Sequence, residues 1–204
     1  ALVRLSAAVA SGAPAEVAAQ ARAALEAGVE ATAVYEAVLQ SYLFVGFPRA
    51  IEALFAVAPV LGEAGGSAGG AAGGAAGGAA GEAAPVDPDR WRRDGESLCA
   101  RVYGRNYDKL VATMRGLSPD LADWMILEGY GKTLSRPGLG VVERELCVVA
   151  ILTATRMWRQ LRSHAIGAVN VGATRADVKE TIMLSEPWSG AAAVREALAV
   201  AGLA

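Results

Sequence analysis

Histidine is almost absent from this chain: His164 is the only one among 204 residues. A single imidazole leaves too few ligands for a closed zinc centre built within one chain, so no metal is expected. Cysteine is scarce as well. Cys99 and Cys147 stand 48 residues apart (147 minus 99), in no CxxC or other short motif, and the expected state is two free thiols in a reducing cytoplasm. Aromatic residues are only 6% of the chain, and much of the 53% hydrophobic content is alanine, so the core must be made of Ala, Val and Leu on closely packed elements. Helices suit that composition.

Other absences narrow the function classes. The formal net charge is -2, with no basic tract, which excludes a nucleic-acid footprint. Arg90, Arg92 and Arg93 do cluster, but Asp87, Asp89, Asp94 and Glu96 surround them, as on a solvated helix face. No uninterrupted apolar run approaches the roughly 18 residues of a membrane span, so no membrane partner is expected. The first sixteen residues, ALVRLSAAVASGAPAE, lack the continuous apolar stretch of a signal peptide. Period-two alternation bounded by turn residues is also missing, which leaves an all-α fold.

One segment is rich in what the rest lacks. Residues 64–84, AGGSAGGAAGGAAGGAAGEAA, are predicted to be a flexible linker, because paired glycines are costly to order and the side chains offer little to bury. It separates a first helical unit, 1–63, from a second, 85–204.

The two units are related. A shift of 144 positions (172 minus 28) lays EAGVEATAVYEAVLQSYLFVGFPRAIEAL on NVGATRADVKETIMLSEPWSGAAAVREAL without a gap. Gly28 meets Gly172, Val34 meets Val178, Glu36 meets Glu180, Ser41 meets Ser185 and Gly46 meets Gly190. This is an internal duplication of a helical unit. Gly28 and Gly172 fall where helices need left-handed caps, and Thr174 with Asp177 makes a capping-box start. Asp87-Pro88 and Ser118-Pro119 each put a capping residue before a first-turn proline, predicting helices over 88–102, 105–115 and 119–132.

The chemistry concentrates in RPGLGVVERELCVVAILTATRMWRQLRSHAIGAVNVGATRADVKETI. One helix is predicted from about Val141, and the next from about Met157 to Val171, with the turn near Thr155. Glu145 then lies about 15 Å back along one helix and His164 about 13.5 Å forward along its neighbour, at 1.5 Å per residue. They come out level. A carboxylate facing an imidazole orients the ring and raises its basicity, the basic unit of acid–base work, although a lone histidine on a helix is more often a hydrogen-bonded structural residue.

RPGLGVVEREL followed by RQLRSHAIGAVNVGATRADVKETI resembles the carboxymuconolactone decarboxylase family, which shares its all-helical fold with alkylhydroperoxidase D. The first unit resembles it again in LQSYLFVGFPRAIEAL. The peroxidase branch carries cysteines seven and four residues before the histidine, where this chain has Met157 and Gln160. Neither residue can form the disulfide of that redox cycle. The resemblance therefore implies a cofactor-free lyase acting on a small anionic lactone or carboxylated ring, with His164 as acid–base and Glu145 as its orienting partner. Arg162 or Arg136 would hold the substrate carboxylate, and Tyr130 and Trp158 either line the pocket or pack the core. A thiol-dependent antioxidant and a non-catalytic assembly or binding member are the other readings. Family habit and apolar helix faces imply a homo-oligomer, trimer or hexamer. In the first unit Gln20 and Ala1 occupy the slots of His164 and Glu145, so only the second unit is expected to carry a site.

Overall fold

In a computed structural model the described residues are 1–66 and 85–204, and all their regular structure is helical. The expected linker therefore lies outside the described residues from 67 to 84, while its first residues complete a helix. Four helices make the first unit: α1 Leu2–Ser11, α2 Pro14–Glu26, α3 Ala31–Leu39 and α4 Tyr42–Gly66. Among residues 85–204 come first α5 Pro88–Tyr103, a single 3₁₀ turn Gly104–Asn106, and α6 Tyr107–Leu117. α7, Pro119–Trp124, runs on as a π-helix, Met125–Leu134. The chain ends with α8 Val141–Ala154, α9 Trp158–Val171, α10 Arg175–Leu184, α11 Glu186–Ser189 and α12 Ala191–Val200.

The helix ends follow from local chemistry. Asp87 accepts a hydrogen bond from the Arg90 amide at 2.9 Å, and Ser118 one from the Leu121 amide at 3.2 Å, each satisfying an orphan donor of a first turn. Thr174 and Asp177 exchange the two bonds of a capping box, at 3.1 and 2.8 Å. Gly28 and Gly172 have φ of 84° and 123°, and beyond each the chain folds back in the same way: Val29 donates to the Ala24 carbonyl and Ala173 to that of Ala168. Gly46 and Gly190, at φ 78° and 83°, break the chain at matching points. The 144-residue shift thus holds for backbone geometry, and Val34 and Val178, Ser41 and Ser185 are buried alike.

Three local features depart from expectation. The turn between α8 and α9 is made by Arg156 at φ 57°, a left-handed conformation with no glycine or proline to announce it. The stretch predicted as one α-helix over 119–132 widens into a π-helix where it crosses α5. That crossing is made by two glycines: a Cβ on Gly95 would run into the Ile126 carbonyl, and one on Gly131 into the Trp91 carbonyl. The third concerns α4. Tyr42–Ala64 has mean hydropathy 1.6 over a window with at most two charged residues, so one helix of the described residues is long and apolar enough to span a membrane. Arg49 and Glu52 interrupt its apolar string while the average over the window stays at 1.6, which is why reading for an unbroken run passes over it. Here it bends at Gly46 and packs Ala53, Val57, Val60 and Leu61 into the core of the first unit. Phe47, Ile51 and Phe55 remain on its outer side, 64%, 46% and 72% exposed.

The two units interlock. α1 lies along α8, and each unit lends an aromatic ring to the other's core: Trp188 joins the cluster around Leu5, Val9 and Val38, while Phe44 joins the one around Val149, Leu161 and Ile182. Positions 44 and 188 differ by 144, so the exchange is reciprocal under the repeat. A third cluster, Leu98, Cys99, Val102, Ile126, Tyr130 and Leu134, fastens α5 and the π-helix together.

Candidate functional site

α8 and α9 form an antiparallel hairpin, and on its facing surfaces Glu145 and His164 meet. Nδ1 of His164 lies 2.9 Å from Oε2 of Glu145, and their side chains are only 8% and 2% exposed. With the carboxylate ionised, Nδ1 carries the proton and donates it, which leaves Nε2 as the atom for chemistry. Nε2 has no hydrogen-bond partner among the described residues.

Aromatic rings flank the imidazole. Phe44 stands edge-on to it with ring centres 5.7 Å apart, and Tyr103 does so at 6.4 Å; Tyr103 in turn meets Tyr130 edge-on at 6.2 Å. Phe44 comes from the first unit, so that unit adds a wall to the site even though Gln20 and Ala1 replace the acid–base pair there. Tyr103 comes from the end of α5. That end is pinned on α9 at two places. Gly167 lets α5 approach, since a Cβ there would sit 2.6 Å from Val102 Cγ1 and 3.0 Å from Glu145 Oε2. One turn on, Asn170 donates from Nδ2 to the Val102 carbonyl at 2.8 Å.

The thiols are buried acids. Burial pushes Cys99 up to about 12, and the neighbouring Glu145 charge adds to it; burial pushes Cys147 up to about 11, against the charge of Arg144. Reactive cysteines sit instead in exposed, electropositive surroundings that lower the pKa. No cluster of three or more His, Cys, Asp or Glu suited to a metal ion occurs among the described residues.

The other residues singled out from the sequence are not all brought to this place. Tyr130 is, buried in the π-helix beside Tyr103. Trp158 is half-buried at the start of α9 and packs on the second unit's core. Arg162 is exposed and has no ion pair or hydrogen bond among the described residues; two residues from His164, it stands about 200° round the helix. Arg136 is occupied: its Nε and Nη2 bind the Glu36 carboxylate at 2.8 to 3.1 Å. Glu36 also accepts from Nη2 of Arg144 at 2.8 Å, and Arg144, 1% exposed, donates further to Gln40 and to the carbonyls of Leu139, Arg136 and Pro137. This buried network joins α3 to the start of α8. Arginines read as substrate ligands from the sequence thus divide into one that is spoken for by a carboxylate 100 residues away and one that faces solvent.

Tyr103, Phe44, Glu36 and Arg144 were not foreseen as neighbours. Gly167 was the available signal, because a glycine inside an apolar helix marks a close backbone approach, but nothing in the sequence says what approaches.

Comparison with known proteins agrees with this architecture. The model of the carboxymuconolactone decarboxylase family matches residues 1–59 and 119–202. Peroxisomal protein 2 of Schizosaccharomyces pombe is 30% identical over 144 residues, which are 70% of this chain and 62% of that one. Nitrosuccinic acid decarboxylase of Metarhizium robertsii is 28% identical over 71 residues, 35% of this chain and 50% of its own. 4-Carboxymuconolactone decarboxylase of Acinetobacter baylyi is 24% identical over 115 residues, 56% of this chain and 86% of its own. The match thus spans less than two thirds of the first two relatives. With two family segments related by an internal repeat, an all-helical fold and a glutamate–histidine pair inside the second segment, the chain belongs to the carboxymuconolactone decarboxylase family.

Proposed function

We propose that this chain is a decarboxylase that needs no metal or organic cofactor and acts on a small carboxylated compound able to accept its own electrons, such as an unsaturated lactone acid. The observation that carries the reading is the buried 2.9 Å contact between Glu145 and His164 with Nε2 left unpaired. Decarboxylation breaks the bond between the carboxylate carbon and the ring; carbon dioxide leaves, and the electron pair moves through the conjugated system onto a carbonyl oxygen. The enolate is then protonated on carbon. His164 in its imidazolium form gives that proton from Nε2, and Glu145 holds the ring and offsets its positive charge. The neighbouring Phe44 and Tyr103 rings shield the site from water, which strengthens both the ion pair and any hydrogen bond to the growing oxyanion. Two of the relatives are named decarboxylases of different carboxylic acids, which supports the reaction class and leaves the acid open.

The test is a carbon dioxide release assay with carboxymuconolactone and with nitrosuccinic acid as probes. His164→Gln keeps a polar side chain in the space and is expected to lower kcat about 10²–10⁴-fold, the usual worth of a positioned acid–base group. Glu145→Gln loses the charge but keeps the size, and is expected to lower it by less. Equal rates in all three proteins would overturn the proposal and leave a non-catalytic family member.

A further inference from the structure

The reaction needs a donor for the oxygen that gains charge, and the arginines do not supply it: Arg136 is held by Glu36, and Arg162 stands on the far side of α9. We propose that Tyr103, at the end of α5, is the hydroxyl that meets this oxygen, donating a hydrogen bond to it as carbon dioxide leaves, with Tyr130 as the positioning residue behind it. The inference rests on the decarboxylase reading and adds a residue to it. It also places that residue outside the segments that match the family model, since α5 falls between residues 59 and 119.

The geometry singles out Tyr103 in several independent ways. Its ring stands edge-on to the imidazole, so its hydroxyl lies in the neighbourhood of the group that delivers the proton. It is only half-buried, whereas Tyr130 is 4% exposed, so of the two phenols Tyr103 is the one a ligand can reach. Its position is built rather than incidental: Gly167 clears the way for Val102, Asn170 binds the Val102 carbonyl, and Gly104, at φ 52°, turns the chain away directly after Tyr103.

The hydroxyl has the polarity the role requires. Tyr130 acts on Tyr103 in the direction that favours its ionised form, and the two rings meet edge-on at 6.2 Å. Burial nevertheless keeps Tyr103 up at about 12, with the nearby Glu145 charge acting the same way. Tyr103 is therefore neutral across the working range and acts as a donor that keeps its proton. The proton that reaches carbon still comes from His164.

Four proteins decide the matter, each assayed for kcat and KM on carboxymuconolactone and on nitrosuccinic acid: wild type, Tyr103→Phe, Tyr130→Phe and His164→Gln. Tyr103→Phe retains the ring and its packing. It is expected to lower kcat about 10²–10³-fold, the worth of one oxyanion donor, with KM changed less than about threefold. Because the chain has one histidine, its imidazole gives one set of ring signals in NMR, and the hydrogen-bonded Nδ1 proton should be retained in Tyr103→Phe as in wild type, excluding an effect through the Glu145 pair. Tyr130→Phe is expected to lower kcat about 3- to 10-fold, and Tyr103→Phe/Tyr130→Phe to be no slower than Tyr103→Phe alone, since one acts through the other. If His164→Gln is inactive while Tyr103→Phe keeps wild-type kcat, the inference falls and the decarboxylase reading stands. If wild type releases no carbon dioxide from either acid, or His164→Gln matches it, both fall together.

Discussion

Gly167 shows how narrow the tolerances around the acid–base pair are. An added methyl would meet Val102 Cγ1 at 2.6 Å and Glu145 Oε2 at 3.0 Å, so α5 and the carboxylate would both have to move. Gly167→Ala is expected to cost about 1–3 kcal/mol of stability, the usual range for overpacking, and to lower kcat further than that loss explains. Urea unfolding and steady-state kinetics on the same preparation separate the two effects. Cys99, Cys147 and Tyr103 predict a second behaviour. All three hold their protons more tightly folded than unfolded, with thiols raised from 9.0 to about 12 and 11 and the phenol from 10.0 to about 12. The stability they contribute is complete below pH 9 and is lost as pH rises through the interval from 9 toward 12, because the unfolded chain then gives up protons that the folded one keeps. Urea midpoints at pH 8 and pH 10.5 should show the fall, and at pH 8 neither thiol should react with a disulfide reagent until the chain unfolds. Glu145 and His164 could be paired from the sequence because both lie on consecutive helices whose rise per residue fixes their level. Tyr103 and Phe44 could not, since they arrive from elements 61 and 120 residues away (164 minus 103, 164 minus 44) and no periodicity encodes such a meeting.

At the scale of elements, the helix ends were legible where a side chain or a missing Cβ dictates them. Thr174, Asp87 and Ser118 cap as their residue types require, and Thr174→Ala is expected to cost about 1 kcal/mol in a chemical-denaturation experiment. The turn at Arg156 and the π-helix were hidden because tertiary contacts impose them: Arg156 reaches the Ser189 carbonyl at 3.3 Å, and the π-helix coincides with the glycine crossing of α5. Hidden for the same reason was the network that fixes α3 on α8. Glu36 there neutralises two guanidinium groups, of which Arg144 is enclosed and Arg136 is partly open to water. Glu36→Gln leaves Arg144 buried without its counter-charge and is expected to cost about 3–5 kcal/mol, whereas Arg136→Gln, at a site where solvent screens the pair, should cost about 1 kcal/mol or less. Thermal or urea denaturation of the two variants gives the comparison directly. A larger loss for Arg136→Gln would mean that the shared carboxylate is organised from the surface inward.

The molecule as a whole is a repeat closed on itself. The 144-residue shift was readable because glycines and glutamates recur with the alanines, and the positive φ shared by Gly28 with Gly172, and by Gly46 with Gly190, shows that geometry repeats too. What the shift does not reveal is that the copies exchange rings, Phe44 going to one core and Trp188 to the other. Neither core is complete from its own copy. Made as separate polypeptides, residues 1–66 and 85–204 should each be poorly folded alone yet associate one-to-one when co-expressed, and whatever decarboxylase activity the intact chain shows should return only in the reconstituted pair. On that outcome the covalent connection between the halves would prove dispensable, with mutual aromatic docking enough to tie the two copies to a single fate.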